Sequence, residues 1–153
     1  MDRAEILKRL PYGKSFRFVD ELLHVDQNGA VGTYTYAADL PFYSGHFIGS
    51  AVTPAVILTE TMAQIGLVCL GIYLLGAVDE FKVTAQLGVA MTSNQMEFLK
   101  PVFPGEKVKV SSEKLYFRFN KLSCRVIMEN EQGELVCKGT ISGMLIAKQH
   151  GQQ

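Results

Sequence analysis

His46 and Glu60, fourteen residues apart, are the two side chains of this sequence whose types and spacing suit proton transfer. His46 stands in the loop Gly45–Gly49 (GHFIG), and Glu60 lies in an apolar stretch that follows Pro54. A neutral imidazole accepts a proton near neutral pH. A carboxyl group in apolar surroundings stays protonated to higher pH than an exposed one and can act as a proton donor. The pair therefore predicts a general base and a general acid at the start of one helix.

The segment that follows this loop predicts a long, buried helix. Thr53 is a favourable N-cap residue, and Pro54 suits the first helical position, where a missing backbone N–H costs nothing. The helix is predicted from Pro54 to about Leu75, and its only strongly polar side chains are Glu60 and Gln64. We therefore expect it to be buried nearly all round.

Three further residues of this helix are predicted to support proton transfer by His46 and Glu60. The backbone N–H groups of Ala55 and Val56 lie at the positive end of the helix dipole, which makes them a candidate oxyanion site for a thioester oxygen that gains negative charge. Gln64 lies one turn beyond Glu60 on the same face, where its amide can orient the carboxylate. Two other interpretations stay open: Gln64 as a satisfied core amide, and Glu60 in a structural pair with a lysine or arginine.

A longer signature surrounds the histidine and the glutamate. It reads His46-Phe47-x-Gly49 and Val52-x-Pro54, with the carboxylate fourteen residues after the histidine. This pattern resembles the active-site signature of the β-hydroxyacyl-acyl carrier protein dehydratases of bacterial fatty acid synthesis. The resemblance covers most of residues 9–146. Its flanking segments are Leu10-Pro11, Phe18-Val19-Asp20 and Phe98–Glu106.

The chain departs from the family pattern inside this signature. Ile48 stands where the family usually has proline, Ser50-Ala51 replace a basic residue and proline, and Ala55 replaces glycine. Alanine keeps the backbone N–H but adds a methyl group where glycine would let a thioester approach closely. The acid is Glu60, as in the dehydratases without double-bond isomerase activity. The resemblance therefore implies dehydration without isomerisation.

The activity that the resemblance implies is dehydration of β-hydroxyacyl-acyl carrier protein to the trans-2-enoyl product. The pathway would be fatty acid synthesis or a related one that builds polyene chains. His46 would remove the α-proton, and Glu60 would protonate or position the departing β-hydroxyl. Two alternatives are an acyl-thioester hydrolase of the same fold and a noncatalytic acyl-binding subunit. Neither alternative explains the spacing of His46 and Glu60.

The resemblance also implies partners. It predicts a homodimer or dimer-based oligomer, in which the histidine and the glutamate of each site come from different subunits. The second partner is acyl carrier protein that carries a β-hydroxyacyl chain. No cofactor and no metal are implied, and Cys69, Cys124 and Cys137 lack metal-ligand spacing, so we expect reduced structural thiols.

Length and charge agree with a small enzyme. The 153 residues predict a single domain over 1–153, and the formal charge of zero without a basic run gives no support to nucleic-acid binding. The apolar stretch Ile65–Val78 is too short for a membrane span. Met1–Glu5 lacks the charged start and apolar run of a secretory signal. We therefore expect a cytoplasmic protein.

The remaining sequence predicts mostly strands. A short helix is expected over Arg3–Arg9, and a turn is expected at Asn120-Lys121. One long apolar helix among about six strands predicts an α+β fold with an antiparallel β-sheet wrapped around the central helix. The family resemblance makes this the hotdog fold. The predicted strands are Phe16–Val25, Val31–Tyr36, Val83–Met91, Gln95–Pro101, Val108–Phe119, Leu122–Glu129 and Leu135–Ile146.

Overall fold

One antiparallel sheet dominates the computed structural model, which describes residues 1–78 and 86–148. Within these residues the sheet has six strands in the order β1-β2-β4-β5-β6-β3, so that β1 and β3 are its edges. Every neighbouring pair is antiparallel. The strands are β1 (Glu21–Val25), β2 (Ala30–Thr35), β3 (Gln86–Phe98), β4 (Lys107–Arg118), β5 (Lys121–Asn130) and β6 (Leu135–Lys148).

The central helix runs from Ala55 to Val78 and packs on this sheet. It is α-helical over Ala55–Met62, π-helical over Ala63–Cys69 and α-helical again over Leu70–Val78. The π-helical stretch contacts β2, β4, β5 and β6. Every residue from 61 to 72 is buried. A sheet that wraps around one long helix confirms the predicted α+β architecture.

A glycine lets the central helix approach the sheet closely. A Cβ atom on Gly66 would lie 2.9 Å from the side chain of Val126 on β5 and 3.0 Å from that of Ser112 on β4. Side chains seldom approach a Cβ atom so closely, so any larger residue here would push the helix away from the sheet. Gly66 therefore sets the depth at which the helix lies.

The central helix also has the length and apolarity of a membrane span. Residues Ala55–Ala77 are long and apolar enough to cross a membrane, yet 72% of the most apolar 18-residue stretch of this helix is buried inside the protein. A helix that is buried to this extent inside the protein is a core helix. Its hydrophobicity is therefore explained by packing.

The start of the helix differs from the prediction that Thr53 is the N-cap and Pro54 the first helical residue. Pro54 is the cap residue, and the helix begins at Ala55. The hydroxyl of Thr53 does not cap the helix, because it is hydrogen-bonded to the hydroxyl of Tyr43 at 2.6 Å. The carbonyl of Pro54 accepts the first bonds, from the N–H groups of Ile57 (2.9 Å) and Leu58 (3.2 Å).

Three strand predictions need correction. Phe16 lies in a short 3-10 turn, and β1 begins only at Glu21 because the backbone around Phe18 is bonded to a helix side chain instead of a neighbouring strand. The two segments predicted at 83–91 and 95–101 form the single strand β3, with a bulge between Met91 and Ser93. Residues 83–85 of that prediction lie outside the described residues.

The hairpin between β4 and β5 turns one residue earlier than predicted. Its central residues are Phe119 and Asn120, with φ angles of 52° and 61°. The predicted short N-terminal helix is confirmed and spans Arg3–Lys8. The other predicted strands agree with the observed ones within a few residues.

Candidate active site

His46 lies in a loop that is tied to the helix entry on both sides. Its backbone N–H donates to the carbonyl of Phe42 (3.0 Å), and its own carbonyl accepts from the N–H of Val52 (2.9 Å). Between these points Phe47 and Ser50 exchange backbone hydrogen bonds in a tight turn, in which Gly49 has a φ of 71°. That angle suits glycine. The loop therefore holds His46 at a defined place beside the start of the central helix.

The hydrogen bond of the imidazole fixes its tautomer. Nδ1 of His46 lies 2.9 Å from the carbonyl oxygen of Val52. A carbonyl oxygen can only accept a hydrogen bond, so Nδ1 carries the proton. In the neutral ring, Nε2 then has the free lone pair. The ring is half-buried and stacks on Phe47 at a centroid distance of 4.0 Å. Nε2 is therefore the nitrogen available as a general base.

Glu60 lies half-buried on the wall of a cavity of about 350 Å³. The other walls are Pro11-Tyr12 from the N-terminal segment, Ala63, Leu67 and Val68 from the helix, and β3 residues between Leu87 and Met91. Burial raises the pKa of Glu60, and hydrogen bonding from the Gln64 amide opposes part of that rise. In the described part of the chain no lysine or arginine lines this cavity. Among residues 1–78 and 86–148, no ion pair therefore accounts for the carboxylate.

Gln64 is fully buried and bridges the helix to the N-terminal segment. Its Oε1 accepts from the backbone N–H of Phe18 at 2.8 Å, and its Nε2 donates to the carbonyl of Phe16 at 2.9 Å. These partners fix which end of the amide is oxygen. Nε2 has a second hydrogen, which is available to Glu60 one turn earlier. Gln64 thus has the core-amide role, and it also has a hydrogen left for the carboxylate.

The predicted oxyanion donors are open to solvent. Ala55 and Val56 are both exposed, Val56 by 73%. Their N–H groups precede the first intrahelical bonds, which are made by Ile57 and Leu58. Ala55 lines a separate shallow depression of about 270 Å³ with residues 98–101. The structure therefore leaves these donors free for an acceptor at the helix N-terminus.

Gln64 lies one turn from Glu60, but His46 and the helix N-terminus do not join them within one chain. Glu60 lines its cavity without His46, and Ala55 faces another depression. Sequence reasoning also missed Tyr12 and the β3 wall of the Glu60 cavity. The similarity of Leu10-Pro11 to a family segment was the only signal for Tyr12, and the wall of β3 follows from its place beside β6, which no local pattern encodes.

Among residues 1–78 and 86–148 no group of three His, Cys, Asp or Glu side chains lies close enough to hold a metal ion. Cys69, Cys124 and Cys137 are free thiols in the core, and burial raises the pKa of each to about 12. Such thiols are poor nucleophiles.

Comparison with known structures identifies the fold. The dehydratase heterocomplex ApeI:P from Xenorhabdus doucetiae superposes with a TM-score of 0.76 at 14% identity, over 94% of this chain and 91% of that one. A thioesterase from Haemophilus influenzae superposes with a TM-score of 0.56 at 15% identity, over 86% and 82% of the two chains. These similarities confirm the hotdog fold.

Comparison of sequences identifies the family. The FabA-like domain matches residues 10–141. The 3-hydroxyacyl-[acyl-carrier-protein] dehydratase FabZ of Sinorhizobium fredii is 32% identical over 152 residues, which are 97% of this chain and 92% of that protein. With this identity along nearly its whole length, the chain belongs to the FabA-like family, as a hotdog dehydratase of the FabZ type.

Proposed function

We propose that this protein converts a β-hydroxyacyl-acyl carrier protein to its trans-2-enoyl form, with His46 as the base and Glu60 as the acid. The observation that carries the proposal is the environment of Glu60. It is a half-buried carboxyl group, one turn from Gln64, in a cavity without a lysine or arginine on its described walls, and its pKa is raised. Such a group keeps its proton to higher pH than an exposed carboxyl group and can give it to a departing hydroxyl.

The reaction needs three groups. Nε2 of His46 takes the proton from the α-carbon, and the electrons of that C–H bond form the new double bond. The C–O bond at the β-carbon breaks as Glu60 protonates the leaving oxygen, which departs as water. Charge that builds up on the thioester oxygen is held by backbone N–H groups of Ala55 and Val56 at the helix N-terminus. The same groups catalyse the reverse hydration.

A second copy of the chain supplies the missing base in this proposal. His46 is absent from the residues around Glu60, and β3, which forms one wall of the Glu60 cavity, is a sheet edge of 13 residues. A long, exposed edge strand is a template for pairing with another strand. Pairing of two β3 strands would bring the partner next to this cavity, so we assign each site to Glu60 of one subunit and His46 of the partner subunit.

The exposed apolar residues around the His46 loop support a partner. Phe47 is 57% exposed and Ile48 is 92% exposed, although both are large and apolar. Coverage of such residues is favourable by roughly 25 cal/mol per Å² of apolar surface removed from water. A dimer that covers this loop also removes water from the imidazole, which strengthens the electrostatics of the site.

The wider setting is proposed on the same basis. We expect one domain over residues 1–153, a location in the cytoplasm, and acyl carrier protein as the carrier of the substrate. The pathway is fatty acid synthesis or a specialised route to polyene chains, and the departures at Ile48, Ser50-Ala51 and Ala55 favour a specialised substrate.

The test is mass spectrometry of β-hydroxyacyl chains of several lengths on acyl carrier protein, after incubation with the purified protein. Loss of one water supports the proposal. Release of free acid would instead establish a thioesterase, and binding of the carrier without any product would establish a noncatalytic subunit. Two variants, His46→Ala and Glu60→Gln, should form no enoyl product. The matched controls His24→Ala and Glu131→Gln change exposed side chains on β1 and in the turn before β6, away from the proposed β3 interface, and should retain activity.

A further inference from the structure

Tyr12 lies on the wall of the Glu60 cavity, in the segment between the N-terminal helix and β1. Its ring packs against the core, so the side chain has little freedom to leave the cavity. Burial raises the pKa of the Tyr12 phenol, and the negative charge of Glu60 raises it further. Tyr12 and Glu60 therefore line one cavity, and the phenol keeps its proton near neutral pH.

The hydroxyl of Tyr12 differs from those of two tyrosines in the core. Tyr36 is hydrogen-bonded to Thr61, and Tyr43 to Thr53, each at 2.6 Å. Among residues 1–78 and 86–148 the Tyr12 hydroxyl has no such partner, and it is not among the fully enclosed polar atoms that lack one. Among the described residues it is therefore a donor without a partner, on a residue that lines the cavity.

The ionised carboxyl group of Glu60 would be stabilised by a further hydrogen-bond donor. One hydrogen of the Gln64 amide is committed to the carbonyl of Phe16, so the amide offers Glu60 a single hydrogen. A carboxylate has two oxygens and about four acceptor positions. Once Glu60 has given up its proton, its negative charge stands in a half-buried cavity with one amide donor from the described residues.

We propose that the Tyr12 hydroxyl is a positioning group for Glu60: although the two are not hydrogen-bonded in the structure, it reaches across their shared cavity, donates a hydrogen bond to the carboxyl group and holds it towards the substrate. This role rests on the proposed dehydratase function. As the Glu60 O–H bond breaks and a new O–H bond forms at the β-oxygen, the phenol hydrogen stays on Tyr12 and stabilises the carboxylate. Hydrogen bonds to charged groups are stronger than those between neutral groups, so this contact strengthens as the reaction proceeds.

Among residues 1–78 and 86–148, few titratable groups lie near Glu60. Tyr12 faces it from the N-terminal segment, and Cys69 of the central helix lies near Tyr12 with Arg17 beyond it. The β3 wall between residues 87 and 91 contributes no titratable side chain. In the proposed dimer His46 of the partner subunit faces the same cavity. Loss of the Tyr12 hydroxyl is thus expected to act mainly on Glu60.

The experiment compares Tyr12→Phe with the matched control Tyr116→Phe, which removes the same atom from β4 outside the cavity. Carbon NMR of protein labelled at the glutamate carboxyl carbons follows Glu60, whose signal is the one lost in Glu60→Gln. In Tyr12→Phe the pKa of Glu60 should rise, because its ionised form loses a donor. The kcat should fall about tenfold, with KM changed less than about twofold, since the contact strengthens only along the reaction. Tyr116→Phe should match the wild type in both.

The outcomes separate this proposal from the function on which it rests. Unchanged Glu60 titration and unchanged kcat in Tyr12→Phe would overturn the role of Tyr12 while dehydration stands. A wild type that forms no enoyl product would overturn the function, and the NMR titration would still test the contact. If Tyr12→Phe fails to fold, 3-fluorotyrosine at position 12 replaces it. This stronger donor should lower the pKa of Glu60, and the absence of that shift would overturn the proposal.

Discussion

The side-chain oxygen of Gln64 accepts a hydrogen bond from the backbone N–H of Phe18 at 2.8 Å. The same amide donates to the carbonyl of Phe16 at 2.9 Å. One helix side chain thus satisfies two backbone groups of the segment that precedes β1. Because Tyr12 lies at the start of this segment, the bridge also restrains the part of the Glu60 cavity wall that Tyr12 forms.

Replacement of Gln64 by an apolar residue should destabilise the fold as well as the site. In Gln64→Leu the N–H of Phe18 loses its partner in the core, and such a loss costs roughly 1–3 kcal/mol. Urea unfolding followed by circular dichroism measures the change. Gln95→Leu, on the exposed edge strand, is the control and should shift the unfolding free energy by less than about 0.5 kcal/mol. Equal stability of the two variants would mean that the bridge has no structural role.

The pairing of β3 with β6 depends on Gly139. A Cβ atom at this position would overlap the backbone carbonyl oxygen of Gln95, which cannot move without breaking the ladder. Gly139→Ala should therefore lower the unfolding free energy by about 1–3 kcal/mol. The matched control is Gly13→Ala, because a Cβ there meets nothing within 4 Å. Thermal unfolding of both variants checks this, and a Gly139→Ala protein as stable as the control would contradict the observed register.

The turn between β4 and β5 places an aromatic residue in the left-handed region. Phe119 has a φ of 52° and is 93% exposed, so its ring contributes little packing to offset the steric cost. Asparagine adopts this conformation more readily, and Phe119→Asn should raise the unfolding free energy by about 0.5–1 kcal/mol. Phe119→Ala is the comparison, since it removes the ring but keeps the Cβ atom. An equal rise of the unfolding free energy in both variants would mean that removal of the exposed ring, and not relief of backbone strain, stabilises the protein.

The raised pKa of Glu60 makes stability depend on pH. The folded protein binds a proton at Glu60 more tightly than the unfolded chain, so stability falls as pH rises from the ordinary carboxyl value of 4.5 through the raised value. Glu60→Gln has no charge to bury. Its unfolding free energy should exceed that of the wild type at pH 8 and approach it below pH 4.5.

Denaturant unfolding of the wild type and Glu60→Gln over this pH range measures the effect. Glu97→Gln, which changes an exposed carboxylate on β3, serves as the control and should show no such trend. A wild type that gains stability relative to Glu60→Gln as pH rises would mean that Glu60 is favourably paired as a carboxylate.

Local sequence patterns predicted the helix and most of the strands because each depends on its own residues. The apolar run after Pro54 specifies a buried helix wherever the chain places it, and the β4 and β5 segments alternate in the usual way. The division of β3 into two strands was wrong because the polar residues between Met91 and Gln95 read as a break. On an edge strand they face solvent, and a bulge keeps the ladder continuous.

The start of the helix shows what local patterns leave out. Threonine is a favourable N-cap residue, but the hydroxyl of Thr53 is hydrogen-bonded to that of Tyr43. That contact depends on the tertiary fold. The candidate site has the same limit. Sequence spacing predicted His46, Glu60 and Gln64, whereas the position of Tyr12 beside Glu60 depends on how the N-terminal segment packs against the helix.

The central claim, that each active site joins His46 of one chain to Glu60 of another, is tested most directly by mixing two inactive variants. His46→Ala and Glu60→Gln chains carrying different tags are coexpressed, and dehydration of β-hydroxyacyl-acyl carrier protein is assayed. A mixed dimer has one intact site and one site that lacks both groups. Purified mixed dimers should therefore recover about half of the wild-type activity, and each variant alone should remain inactive. Mixed dimers as inactive as the single variants would contradict the shared site.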